Sequence, residues 1–302
     1  MFPKLMLRLA AVFLAVFALP ALAALNVFAT VPEWAALAKE IGGERVQVFA
    51  ATNALQDPHR IEAKPSLIAR ARGSQLVVAT GADLEIGWLP VVLREAGNAA
   101  IQPGQPGYFE AASAVRLLEV PSRLDRADGD VHPGGNPHVQ TDPRNILKVA
   151  EALAGRMARV DPAGASTYDA NLARFSERWQ ANLARWARAA APLRGVPVWV
   201  QHRSFAYMAD WLGLKELGAL EPKPGVEPGS AHLASLLARQ KETPARMILR
   251  AAYARPTASE WLGERAGIPV VVLPFTVGGN PAAGDLTALF DDTVQRLLGG
   301  LR

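Results

Sequence analysis

The chain contains no cysteine in its 302 residues. That absence excludes a disulfide framework, a thiolate metal site, a cysteine nucleophile and a lipid-modified N-terminal cysteine. Histidine is nearly as scarce, with five in the whole sequence. Charge is almost balanced, 32 Lys and Arg against 28 Asp and Glu, a formal +4. Lys4 and Arg8 account for part of that excess, and the rest is too scattered to mark a nucleic-acid surface. No Gly-x-Ser-x-Gly elbow, P-loop, dinucleotide fingerprint or His-Glu-x-x-His helix is present. "GADLEIGW" and "TVGGNPAAGD" carry glycines, but at the wrong spacing for phosphate loops.

One segment is long and apolar, "MFPKLMLRLAAVFLAVFALPALA" at the start. Its cationic opening, its apolar run from Leu9 to Leu19 and its closing Ala21-Leu22-Ala23 predict a signal peptide over 1–23, cleaved on export. The apolar core is about half the ~20 residues a bilayer span needs, and no later stretch comes close. The expectation is a mature chain without a membrane span, exported to a Gram-negative periplasm.

Beyond Ala23 the chain alternates strand and helix. "LNVFAT", "RVQVFAA" and "QLVVAT" read as strands, separated by the helical "PEWAALAKEIGG" and "SLIARARGS", with a further helix in "GWLPVVLREAGN". Residues 103–137 are rich in Pro and Gly and read as a long loop, with one short strand near "VRLLEV" and a role as a flap over a site. Asp142 and Pro143 have the pattern of an N-cap and first helical residue. Helical periodicity then holds from 163 to 191, with Leu172, Phe175, Trp179, Leu183 and Trp186 on one stripe. "VPVWVQ", "LKELGAL", "ARMILRA" and "IPVVVLP" repeat the α/β rhythm. The predicted fold is α/β: two lobes, 24–155 and 195–302, with mostly parallel sheets flanked by helices, joined by a long linking helix over 156–194.

In such folds ligands sit beyond the C-terminal ends of the strands. His59 lies there in "LQDPHRIEAKP", and His202 in "VQHRSFAYMADWLGL". His138 lies in "HPGGNPHVQTDP", just before a helix start. His132 shares that loop, whereas His232 reads as a helix N-terminal residue. Neutral imidazoles suit Zn(II), which favours four tetrahedral N, O or S donors. Three histidines with a carboxylate would make a closed binding site; an open fourth position would make a catalytic one.

These segments resemble those of the zinc/manganese-type periplasmic solute-binding proteins of ABC transporters, the long-helix cluster of binding proteins. "DPHRIEAKPSLIARARGSQLVVATGADLEIGWL" is similar to that family's Asp-Pro-His segment, Pro-Ser helix, strand and subsequent turn. "GGNPHVQTDPRN" resembles its Asn-Pro-His segment, "VQHRSFAYMADWLGL" its His-x-x-Phe-x-Tyr segment, and "GVEPGSAHLASL" its Glu-Pro-x-Ser turn. The likeness spans essentially the whole mature chain.

The resemblance implies a monomeric, non-enzymatic binding protein that hands a metal ion to an inner-membrane ABC permease. It implies His59, His138 and His202 as ligands. Histidine at the third position marks zinc members, where manganese members usually carry Glu, so Zn(II) is expected and Mn(II) less so. An imidazole trio favours the same choice on ligand chemistry. The family's final Asp would align with Thr276 or Val277. Asp285 is therefore expected as the fourth ligand, with His132, Glu227, Asp83 or water as alternatives and Asp291 and Asp292 facing solvent. The long His/Asp-rich loop of many zinc members is missing. Two rivals remain: a zinc hydrolase, and a same-fold binder of iron–siderophore or cobalamin ligands.

Overall fold

The computed structural model describes residues 24–122, 129 and 132–301. The signal-peptide expectation for 1–23 lies outside them, as does part of the expected flap. Two four-stranded sheets of parallel strands form the frame. The first is built from β1 (Leu25–Ala29), β2 (Val46–Ala50), β3 (Leu76–Ala79) and β4 (Tyr108–Glu110), in the order β2-β1-β3-β4. Helices α1 (Pro32–Gly42), α2 (Pro65–Arg72) and α3 (Leu89–Ala96) fall between them in sequence. β3 is buried at every residue, as a central strand covered on both faces must be.

The second sheet contains β5 (Pro197–Val200), β6 (Lys215–Ala219), β7 (Met247–Ala251) and β8 (Val270–Leu273), in the order β6-β5-β7-β8. Its helices are α6 (Ala206–Leu212), α7 (Ser230–Glu242) and α8 (Thr257–Ala266), and α9 (Leu286–Gly299) closes the chain. The two sheets thus repeat one strand order.

Between them run α4 (Pro143–Val160) and α5 (Ala165–Ala189). Asp142 caps α4, accepting from the Arg144 amide at 2.8 Å, and Pro143 is at the first helical turn. The expected linking helix over 156–194 is divided. α4 runs to Val160, Asp161 and Pro162 interrupt it, and α5 continues for 25 residues, about 37 Å at ~1.5 Å per residue. The break is held because Asp161 accepts from Arg45 and from the Tyr168 hydroxyl.

Phe175, Trp179 and Trp186 on α5 are fully buried, while Leu172 and Leu183 are only half-buried beside them. Phe175 stacks on Trp179 at 5.0 Å, and Trp186 meets Phe290 of α9 at 5.2 Å. Each indole N–H finds an acceptor: Trp179 donates to the Pro143 carbonyl at 2.8 Å and Trp186 to Asp291 at 2.6 Å. Truncating either to Ala removes ~3–5 kcal/mol of packing. Asp291 faces solvent as expected, its side chain 41% exposed, while also pairing with Arg185. Asp292, also expected to face solvent, does not: it is buried and accepts from Asn280 and Arg296.

The strand expected at "VRLLEV" does not form; the edge strand is β4, just before it. The main chain at Leu118 has other partners. Its N–H donates to the Tyr207 hydroxyl at 3.0 Å and its carbonyl accepts from Asn136 at 2.8 Å. The segment after β4 thereby crosses to the second lobe.

Candidate metal centre

His59, His138 and His202 come together where the loops beyond the two sheets meet. One ring nitrogen from each lies within 4.8 Å of the others. Ring centroids are 5.2 Å apart for His59–His138, 5.6 Å for His59–His202 and 5.5 Å for His138–His202. A tetrahedral ion with donors at ~2.0–2.1 Å separates them by about 3.4 Å, so the trio needs only a small contraction to close on one.

Each histidine is aimed by its own device. In the loop after β2, Asp57 Oδ1 accepts from the His59 amide at 3.0 Å and pairs with His59 Nδ1 at 2.8 Å. Trp88 Nε1 fixes the same loop by donating to the Pro58 carbonyl at 3.0 Å. Burial alone would raise the Asp57 carboxyl, but the His59 hydrogen bond and charge outweigh it and hold it below its ordinary value. With Nδ1–H donating to Asp57, the buried Nε2 of His59 has a free lone pair and no hydrogen-bond partner.

His202 comes directly after the loop residue Gln201 that leaves β5. Its Nδ1 pairs with Glu221 Oε2 at 2.7 Å, and that oxygen also accepts from the Gly225 amide at 2.7 Å. Carboxylates on the far nitrogen fix ring orientation and raise ligand basicity, as they do around metal-bound histidines generally.

His138 has no such partner. It is 1% exposed, and neither ring nitrogen has a hydrogen-bond partner. Burial, and then the charges of His59, His202 and His132, hold it well below the usual histidine range, so the neutral, ligating form is favoured. The Asn-Pro-His sequence explains its placement. Asn136 Oδ1 accepts the His138 amide at 3.0 Å. Its Nδ2 donates to Glu119 at 2.8 Å and to the Arg203 carbonyl at 2.7 Å, and its carbonyl accepts from Tyr207 at 2.7 Å. One asparagine thereby pins the loop to the second lobe.

Asp285 lies elsewhere. It is the exposed N-cap of α9, accepting from the Ala288 amide at 2.8 Å, and it is not in the cluster with the three histidines. The family's aligned carboxylate position is taken differently. Thr276 donates to Glu33 of α1, and Phe275 places its ring 5.5 Å from that of His138. Phe275 does so at φ 68, a left-handed conformation rare for a bulky side chain and maintained only by strong surrounding constraints. Glu227 and Asp83 are exposed and likewise outside the cluster. His232 sits in the first turn of α7, its carbonyl accepting from Ser235. His132 is close to the trio, its ring 5.4 Å from that of His59.

Sequence reasoning named Asp57 only as a flanking residue and missed Glu221. The two-residue spacing of Asp57 and His59 could have signalled a local pair. Nothing local marks Glu221, which reaches His202 from the loop after β6.

The family described as zinc-uptake complex component A, periplasmic (ZnuA), matches residues 27–299. The zinc-binding lipoprotein AdcA of Streptococcus pneumoniae is 24% identical over 239 residues, covering 78% of this chain and 46% of that protein. The manganese ABC transporter substrate-binding lipoprotein PsaA of the same species is 22% identical over 248 residues, covering 80% of this chain and 76% of its own. This chain thus spans about half the length of the AdcA-type relatives. A crystal structure of ZnuA superposes with a TM-score of 0.77 at 23% identity, over 92% of this chain and 100% of that one, which establishes a shared fold. These relatives are named as metal-binding or substrate-binding components, not as enzymes.

Proposed function

This chain belongs to the periplasmic zinc-uptake complex component A family, and from that premise we propose that it captures Zn(II) between its two lobes and delivers it to an ABC-type permease of the inner membrane. It acts after export to the periplasm, as a monomer. No described helix is long and apolar enough to cross a membrane, in keeping with a binding protein that meets its permease from outside.

The observation that carries the reading is the donor set itself: among the described residues, three imidazoles are gathered within 4.8 Å with no carboxylate in the group. Manganese prefers oxygen donors, while imidazole suits zinc. The family includes proteins named for each metal, so the donor chemistry is what favours zinc here. Asp57 and Glu221 aim His59 and His202 from their far nitrogens, and His138 meets the ion from a dry wall. The ion exchanges its water shell for these nitrogens, and the partner carboxylates offset part of its charge. Because α4 and α5 pack both lobes into one apolar core, release involves small movements of loops rather than a wide hinge swing. A hydrolytic role would need a general base beside the metal; among the described residues Asp57 and Glu221 are engaged with the far nitrogens of the ligands, and Glu119 accepts from Asn136 and Arg203.

The test is a competition titration of Zn(II) against Mn(II) on the mature chain and on its His59→Ala, His138→Ala and His202→Ala variants. One zinc per chain is expected, held more tightly than manganese, with each variant losing at least tenfold in affinity. Preference for manganese would overturn the choice of cargo. Unchanged zinc binding in all three variants would overturn the site.

A further inference from the structure

Resting on the zinc-capture reading, we propose that His132 is the fourth donor, so that the ion is held by four imidazoles and no oxygen. At the positions where the family's carboxylate would align, Thr276 or Val277, this chain has no acid. Phe275 lies against His138 there, and Thr276 is committed to Glu33. Asp285 is exposed and spends an oxygen on its own helix. Beside the trio is a cavity of about 190 Å³ lined by Glu119, His132, Asn136, His138, His202 and Arg203, among others, and its carboxylate, Glu119, already accepts from Asn136 and Arg203. His132 is half-buried in it, with its ring against His59.

The local sequence is built to bring it there. In "HPGGNPH" the Gly135 amide donates back to the His132 carbonyl at 3.1 Å, a tight turn that folds His132 over Asn136 and His138. Gly135 adopts φ 118, and a Cβ there would come within 2.7 Å of the Leu118 carbonyl. Only glycine permits the turn and the close crossing together. His132 stands just outside the close trio, so ligation requires its side chain to rotate within the cavity the histidines share. The resulting all-nitrogen set discriminates against Mn(II) more strongly than a set containing a carboxylate.

The experiment uses the mature chain loaded with Co(II), whose ligating imidazoles give hyperfine-shifted proton NMR signals that can be counted, together with zinc competition titrations. Four sets of imidazole signals are expected in the parent chain and three in His132→Ala. That variant should also lose at least tenfold in zinc affinity and narrow the preference for zinc over manganese. Asp285→Ala should match the parent in both readouts. Three sets in both parent and His132→Ala, with equal zinc affinity, would overturn the proposal, as would a loss confined to Asp285→Ala. Failure of the underlying reading looks different: His138→Ala would then bind zinc as the parent does.

Discussion

The two lobes share a strand order but make their histidine–carboxylate pairs in different ways. In the first lobe both partners lie in one loop, His59 and Asp57 after β2. In the second, His202 comes after β5 and Glu221 after β6, so the pair forms only when neighbouring strands align. The loop after β1, which corresponds to that of His202, carries no ligand. Thr30 there donates to the buried Glu85, which also accepts the Thr80 and Gly81 amides. One topology thus holds a local pair on one side and a long-range pair on the other. The same device can therefore be plain in one half of a sequence and invisible in the other.

The seam between the lobes offers the largest expected effect. Glu33 on α1 accepts from Thr276 after β8 and is 2% exposed. Burial, opposed by that hydrogen bond, pushes its carboxyl up to about 7 from 4.5. Because the folded value is the higher one, its contribution is complete below about pH 4.5 and is lost as pH rises toward 7. The loss amounts to roughly 3 kcal/mol at ~1.36 kcal/mol per unit. Glu33→Gln should flatten the stability–pH curve over that window and raise the unfolding midpoint at pH 8, measured by denaturant titration. A parent curve already flat between pH 4.5 and 7 would refute this.

Next in size is the pair of carboxylates, where the comparison can be broken directly. Removing an outer partner of a metal-bound histidine costs ~10–100-fold in affinity. Glu221→Gln should fall near the upper end and Asp57→Asn near the lower. Glu221 is 16% exposed and also holds the Gly225 amide, whereas Asp57 is 39% exposed and more screened by solvent. Equal losses in a zinc titration would show that local and long-range pairs work alike.

The smallest effect belongs to Asp285. Its replacement by Ala should cost ~1 kcal/mol of stability through the lost helix cap and leave zinc affinity unchanged. A fall in affinity would return Asp285 to the site.

Much of the frame is legible in the sequence because both signals are local. Seven of the strand expectations match observed strands to within a residue or two, since apolar runs bounded by Gly and Pro mark buried parallel strands. Asp142 and Pro143 mark the start of α4 for the same reason. The three histidines are legible through position, each in a loop leading away from a strand or into a helix. Several of the misses depend on partners distant in sequence. The "VRLLEV" segment has strand character, yet Tyr207 and Asn136 take its main-chain groups. The helix over 156–194 reads as continuous until Arg45 and Tyr168 meet Asp161. Glycines near Asp285 allow a fold-back, but Asp285 instead caps α9. Conversely, "HPGGNPH" reads as a flexible loop, and only the crossing beneath Gly135 makes it a turn that brings His132 to His59.

The most direct test is crystallographic: anomalous difference maps collected on either side of the zinc absorption edge from crystals of the zinc-loaded mature chain. The account predicts a single strong peak within ~2.1 Å of Nε2 of His59, Nε2 of His202 and one ring nitrogen of His138. A peak at Asp285, or none among the three histidines, would contradict it.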